Sequence, residues 1–303
     1  MMIHKIIIGI VFLFLWLFND IKAQEQTDTA NNISLTTIAQ AHQGNSYVTI
    51  LEGVGKIEDL WFEANLIPSF YIRKSKDSRL LGVLTSQVIL RMYQEESFPV
   101  RTPSYMPQIT VYYSLYNQNK YKSMNLFGRL AHHSNGQQGE FYLDDGSINY
   151  KSGNFSTNYF EAGIIKTSMN KRFGAVKMYR TSFQVNPPAL SDPELDGRYS
   201  FYRWNNLLYI FKLNNSSKEF NQSKRANISL KAELNWLFGD FDDTRLLDFD
   251  RISFSGTFTY HPDFFEDIVL FLQYSYGKDY YNIYFTHTIN VVRVGIMTEL
   301  IRF

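Results

Sequence analysis

Residues 122–136 read KSMNLFGRLAHHSNG, and as an extended strand their side chains alternate between two faces. Even positions carry Met124, Leu126, Gly128, Leu130, His132 and Ser134, and odd positions carry Asn125, Phe127, Arg129, Ala131, His133 and Asn135. The apolar side chains therefore share a face with His132 and Ser134. In a soluble sheet that face would be the core and would hide the pair. In a membrane barrel the apolar face meets lipid and the polar face lines the lumen, so the same pattern presents a histidine and a serine to the bilayer. Over 156–168, Asn158 falls on the face of Phe160, Ala162 and Ile164, opposite Tyr159, Glu161 and Thr167. Farther upstream, Leu84, Val88, Leu90 and Met92 oppose Gln87 and Arg91.

Runs of this kind predict twelve strands, at 46–52, 58–72, 79–93, 107–117, 121–134 and 156–168, then 174–186, 199–213, 224–238, 251–261, 267–276 and 289–302. Connections at 74–78, 117–120, 170–172 and 261–266 are short, and those at 94–106, 135–155, 187–198, 239–250 and 277–288 are longer. Short turns on one side and long loops on the other predict an all-β, twelve-stranded antiparallel transmembrane β-barrel with both ends in the periplasm. The connection at 214–223 is longer than a periplasmic turn should be.

Composition agrees with a barrel. Aromatic residues make up 17% of the 303 positions, with 21 Tyr and 25 Phe, enough for girdles at both interfaces. A net charge of +1 offers no reason to expect a nucleic-acid partner. The absence of cysteine excludes disulfides, thiolate metal sites and a lipidated N-terminal cysteine. His4, Lys5, the apolar run 6–18 and Ala23 predict a signal peptide over 1–23, cleaved before Gln24 and directing export to the outer membrane. Residues 24–45 are polar and predict a periplasmic lead-in, leaving 46–303 as the barrel domain. The chain ends on Phe303, a terminal aromatic typical of outer-membrane barrels.

Ser134 needs a base to become a nucleophile, and His132 lies on its face, roughly 6–7 Å away at Cα. A third group has to hold the imidazole tautomer, and Asn158 is placed to do so if 135–155 folds its strand against 121–134. A His-x-Ser in one strand carries no information alone. Three polar groups on a face otherwise committed to lipid do, because unpaired polar groups are costly there. His133 points to the lumen as a bystander.

The segment His132-His133-Ser134-Asn135-Gly136 resembles the His-x-Ser-Asn-Gly motif of the outer-membrane phospholipase A family, and Ser156-Thr157-Asn158 resembles its Ser-x-Asn. Glu95–Thr102 and Tyr105–Gln108 are similar to that family's Pro-Phe-Arg block, and Arg293–Met297 to its last strand. The resemblance runs from about residue 46 to the end. It implies A1/A2-type hydrolysis of membrane glycerophospholipids, with Ser134 as nucleophile, His132 as base and Asn158 orienting the ring. It also implies a calcium-dependent homodimer, in which calcium and the Ser134 amide stabilise the oxyanion. For calcium it points to Ser97 and the Gln137 carbonyl, with Asn154 or Ser152 as the last ligand. Several positions depart from the family: Gln137 and Tyr159 stand where arginine is usual, and Asn154 where serine is expected. Loop 135–155 is longer and adds Glu140, Asp144 and Asp145. A passive pore, or a structural barrel that has lost its chemistry, would share the leader, girdles and alternation. The pore leaves the polar trio unexplained.

Overall fold

The predicted alternation closes into an antiparallel barrel in a computed structural model, which describes residues 33–299 and 301 apart from 51–53, 57, 76–77, 98–99, 118–121, 171, 214–225, 240–244 and 246–247. The expected leader over 1–23 and Phe303 lie outside the described residues. The strand segments are β1 (Tyr47–Thr49), β2 (Val54–Lys56), β3 (Leu60–Leu66), β4 (Ser69–Ile72), β5 (Leu80–Tyr93), β6 (Ser104–Asn117) and β7 (Ser123–Ser134). They continue as β8 (Ser156–Asn170), β9 (Ala175–Val185), β10 (Tyr202–Leu213), β11 (Ala226–Phe238), β12 (Ile252–Tyr260), β13 (Ile268–Lys278) and β14 (Thr288–Thr298). Segments β1 and β2 both pair with β14, and β3 and β4 both pair with β5, so each couple forms one interrupted stave. The break between β3 and β4 contains Pro68, which has no amide to donate to the ladder. The result is twelve staves, closed where β1 pairs with both β3 and β14.

Burial follows the alternation. Leu126, Leu130, Phe160, Ile164, Leu230, Leu272 and Val294 are exposed on the outer wall, while Phe127, Ala131, Glu161 and Thr167 are buried inside. Among the described residues no helix is long and apolar enough to cross a membrane; the strands supply the outward apolar surface.

The expected lead-in 24–45 is ordered where it is described. Residues Leu35–Gln43 form a helix, α1, capped by Ser34, whose hydroxyl accepts from the Thr37 amide at 3.0 Å. Gly44 ends it with φ +87°, a left-handed conformation that glycine adopts without strain. Nine residues are too few for a stable isolated helix, so burial has to hold it. Leu35, Ile38, Ala39 and Ala41 pack with Leu81, Val83, Tyr112, Phe127, Ile165 and Phe211 at the short-turn end of the lumen. Its polar face is tied as well: His42 Nδ1 lies 2.7 Å from the Tyr112 hydroxyl, and Gln43 donates to the same oxygen at 2.9 Å.

At the other end the long loops fold inward, and Phe141, Phe155, Leu195, Tyr199, Ile283 and Phe285 form a second apolar cluster. Polar interior lies between, with cavities of about 370 and 300 Å³ that share Tyr47, Gln87, Glu233 and Gln273 as walls. Buried ion pairs cross this layer. Glu63 accepts from Arg91 at 2.8 Å, from Arg293 at 3.3 Å and from Tyr47 at 2.7 Å, and Arg91 also grips Asp279 at 2.5 and 2.9 Å. Glu63→Ala would leave Arg293 buried without its carboxylate. Urea unfolding of vesicle-refolded protein is expected to show a loss of about 3–5 kcal/mol, and Glu63→Gln, which keeps an acceptor, a smaller one.

Candidate active site

The site grows from one antiparallel register. Strand β7 ends at Ser134 and β8 starts at Ser156, and the ladder sets His132 opposite Asn158 and Ser134 opposite Ser156. Non-local pairing thus brings together residues that are 26 apart in sequence. His132, Ser134 and Asn158 are half-buried on the outer wall. They stand beside Leu130, 49% exposed, and Phe160, 40% exposed. His132 Nδ1 lies 3.0 Å from Asn158 Oδ1. With the amide oxygen accepting, Nδ1 carries the proton and Nε2 presents a lone pair. The Ser134 hydroxyl makes no side-chain hydrogen bond among the described residues. A hydroxyl beside an imidazole whose far nitrogen is held by an amide can act as nucleophile and base.

Asn158 is itself held, by a group that no sequence pattern announces. Its Nδ2 donates to the Leu190 carbonyl at 2.9 Å, from the connection between β9 and β10. The same segment bonds to Ser156 through Asp192 and to Thr157 through Ser191.

Asn135, fully buried, anchors the end of β7. Its Nδ2 donates to the Gly153 carbonyl at 2.7 Å and to Asn282 Oδ1 at 2.6 Å, and its Oδ1 accepts from the Phe155 amide at 3.2 Å. Gly136 follows with φ +65°, and a Cβ there would lie 3.2 Å from the Tyr105 ring. His133 points inward, 2% exposed, edge-on to Phe155 and 3.4 Å from the Tyr199 hydroxyl. The Pro-Arg block reaches the site through Tyr105, which pairs with Ser134. Its Arg101 is tied to Glu58, Glu95 and the Tyr284 hydroxyl.

The four residues expected to serve calcium separate into free and committed groups. Ser97 is exposed in a left-handed conformation, φ 67°. Gln137 is half-buried and its amide bonds back to Asn135 at 3.4 Å. The Asn154 side chain is exposed, whereas the Ser152 hydroxyl accepts from Asn149 at 3.0 Å within the loop. Asp145 turns to Ser147, whose hydroxyl and amide hold its carboxyl below the usual range. No described bond joins Ser97 to Gln137 or Asn154, and among the described residues no three His, Asp or Glu side chains converge to hold a metal. Ser97, the Gln137 carbonyl and Asn154 fit calcium in donor type, being neutral hard oxygens on loops. Of the two candidates for the last ligand, the free Asn154 fits better than Ser152.

A closed twelve-stave barrel with an apolar outer wall is of the outer-membrane type and fits that location. Solved structures place it further: the fold is similar to outer membrane phospholipase A from Escherichia coli, with TM-score 0.53 and 13% identity over 91% of this chain and 95% of that one. An asparagine-to-alanine active-site mutant of the E. coli protein matches equally, with TM-score 0.53. The Salmonella typhi outer membrane phospholipase, a dimer with bound calcium, matches with TM-score 0.54 and 12% identity over 85% of this chain and 91% of that one. No protein-family model and no curated protein sequence matches the chain.

Proposed function

We propose that this barrel is an outer-membrane phospholipase that hydrolyses acyl esters of glycerophospholipids at its lipid-facing wall. The observation that carries the proposal is the 3.0 Å contact of His132 with Asn158, on the outward face beside Ser134. Ser134 Oγ attacks the ester carbonyl while His132 Nε2 takes its proton and returns it to the leaving lysolipid oxygen. Water then attacks the acyl-enzyme, with His132 again as base. Asn158 keeps the ring in the tautomer this requires. As an amide it orients the ring but stabilises imidazolium less than a carboxylate would.

Calcium, when bound, supplies positive charge for the developing oxyanion. Ser97 of one copy with the Gln137 carbonyl and Asn154 of a second would hold it, which makes the active form a homodimer. The calcium-bound dimer among the structural neighbours supports this arrangement. The passive-pore alternative is disfavoured by the helix and the inward-folded loops that occupy the two ends of the lumen.

Fatty-acid release from phospholipid–detergent mixed micelles by refolded protein is expected to require calcium. Ser97→Ala and Asn154→Ala should each lose activity at low calcium and recover as calcium rises, while Ser152→Ala should follow wild type. Activity unaffected by chelation would remove calcium from the proposal.

A further inference from the structure

The proposed chemistry needs one tautomer of His132, and the Asn158 amide beside the ring can hold either. An asparagine amide presents an oxygen on one side and NH₂ on the other, and the two ends are interchangeable in shape. Against His132 the two orientations differ in consequence. With Oδ1 toward the ring, Nδ1 is the protonated nitrogen and Nε2 is free to accept a proton. With Nδ2 toward the ring, Nδ1 must accept, the proton moves to Nε2, and the imidazole can no longer act as base toward Ser134. In the structure Nδ2 donates to Leu190 O at 2.9 Å and Oδ1 faces His132 at 3.0 Å. Rotating the amide would set two oxygens against each other at Leu190, so the carbonyl excludes the unproductive orientation.

That carbonyl is held rigidly. Pro187 and Pro188 fix the backbone leading into a 3₁₀ turn over Pro188–Leu190, closed by the Leu190 amide on the Pro187 carbonyl at 2.9 Å. The turn is pinned to the start of β8 at two further points. Asp192 accepts from the Ser156 amide at 2.5 Å and from the Ser156 hydroxyl at 3.3 Å, and its own amide returns to the Ser156 carbonyl at 2.9 Å. The Ser191 hydroxyl lies 2.7 Å from Thr157 Oγ1 and donates to the Pro187 carbonyl at 3.1 Å. These contacts hold the two residues that precede Asn158 and touch neither His132 nor Ser134.

We infer that the segment Pro187–Asp192 is a latch whose Leu190 carbonyl sets the Asn158 amide, and through it the His132 tautomer, with Asp192 and Ser191 as positioning residues. The catalytic part of this inference rests on the phospholipase proposal, but the tautomer does not, since it can be read without substrate.

The test compares refolded wild type with Asp192→Asn, Asp192→Ala and the double variant Ser191→Ala/Asp192→Ala, in micelles. The readouts are ¹⁵N NMR of the histidine rings, assigned with His132→Gln, and fatty-acid release. Wild type and Asp192→Asn, whose amide oxygen can still accept from Ser156, are expected to hold His132 as the Nδ1–H form. The double variant is expected to show both tautomers and to lose roughly 10- to 100-fold in kcat, with KM nearly unchanged and heat-modifiable gel mobility retained. If the double variant does not refold, Asp192→Ala alone carries the comparison. A double variant with a pure Nδ1–H ring and full kcat would overturn the latch. So would equal losses in Asp192→Asn and Asp192→Ala with the tautomer unmoved. A wild type that releases no fatty acid would instead sink the phospholipase proposal, leaving the latch to be judged by its spectrum.

Discussion

Ser134→Ala and His132→Ala are each expected to lower phospholipid hydrolysis by at least about 10³-fold while leaving the barrel folded and heat-modifiable. Both side chains sit on the outer wall, so truncating them removes no interior contact. The two act as a unit, and the double variant should be no worse than either single one. Asn158→Ala should keep more activity, because misorienting the ring is milder than removing the base. His133→Ala should retain near-normal kcat, since His133 faces Phe155 and Tyr199 in the interior. An active Ser134→Ala protein, or a His133→Ala variant as dead as His132→Ala is expected to be, would mean that the nucleophile or the face is wrong. Fatty-acid release with gel mobility as the folding control reads all of these outcomes.

Leu130→Arg should strongly hinder assembly into bilayers, because a cation on the lipid face costs about 2–4 kcal/mol near the midplane. The matched luminal change is Gln273→Lys, which enters a polar cavity also lined by Glu233, and it should assemble nearly as wild type. Arg129, one residue from Leu130 and luminal, is an unsuitable control. It pairs with Glu161 at 3.0 Å, and an aspartate there would set two carboxylates together. Folding yields in vesicles, read by gel mobility, decide the matter: equal yields for Leu130→Arg and Gln273→Lys would contradict the face assignment.

What was legible in the sequence was the part written in local alternation. The exposure of Leu126 and Leu130 against the burial of Phe127 and Ala131 follows from a period of two, and so does the common face of His132, Ser134 and Asn158. The twelve staves follow from strand and turn spacing, with breaks near Pro68 and between β1 and β2 as the refinements. Helix α1 was not legible. Its nine residues include two threonines and hold little more than one turn of apolar spacing, Leu35, Ile38 and Ala39, too short a run to mark a helix within a polar segment. The latch was hidden for another reason. Its working atom is a backbone carbonyl, which every residue possesses, so Leu190 carries no mark of the task. The partners of Asn135 and of Arg129 were illegible in the same sense, since Asn282 and Glu161 are selected by closure of the sheet and loops rather than by any short-range pattern.

If Ser134 is the nucleophile of a lipid-facing hydrolase, acid-quenching refolded protein during turnover of a phospholipid and digesting it for mass spectrometry should trap the acyl-enzyme. Free fatty acid and lysolipid are expected in the supernatant, and an acyl ester on the peptide containing Ser134, both absent in Ser134→Ala. Fatty-acid release with the acyl group on any other residue, or no release at all in the presence of calcium, would contradict that role for Ser134.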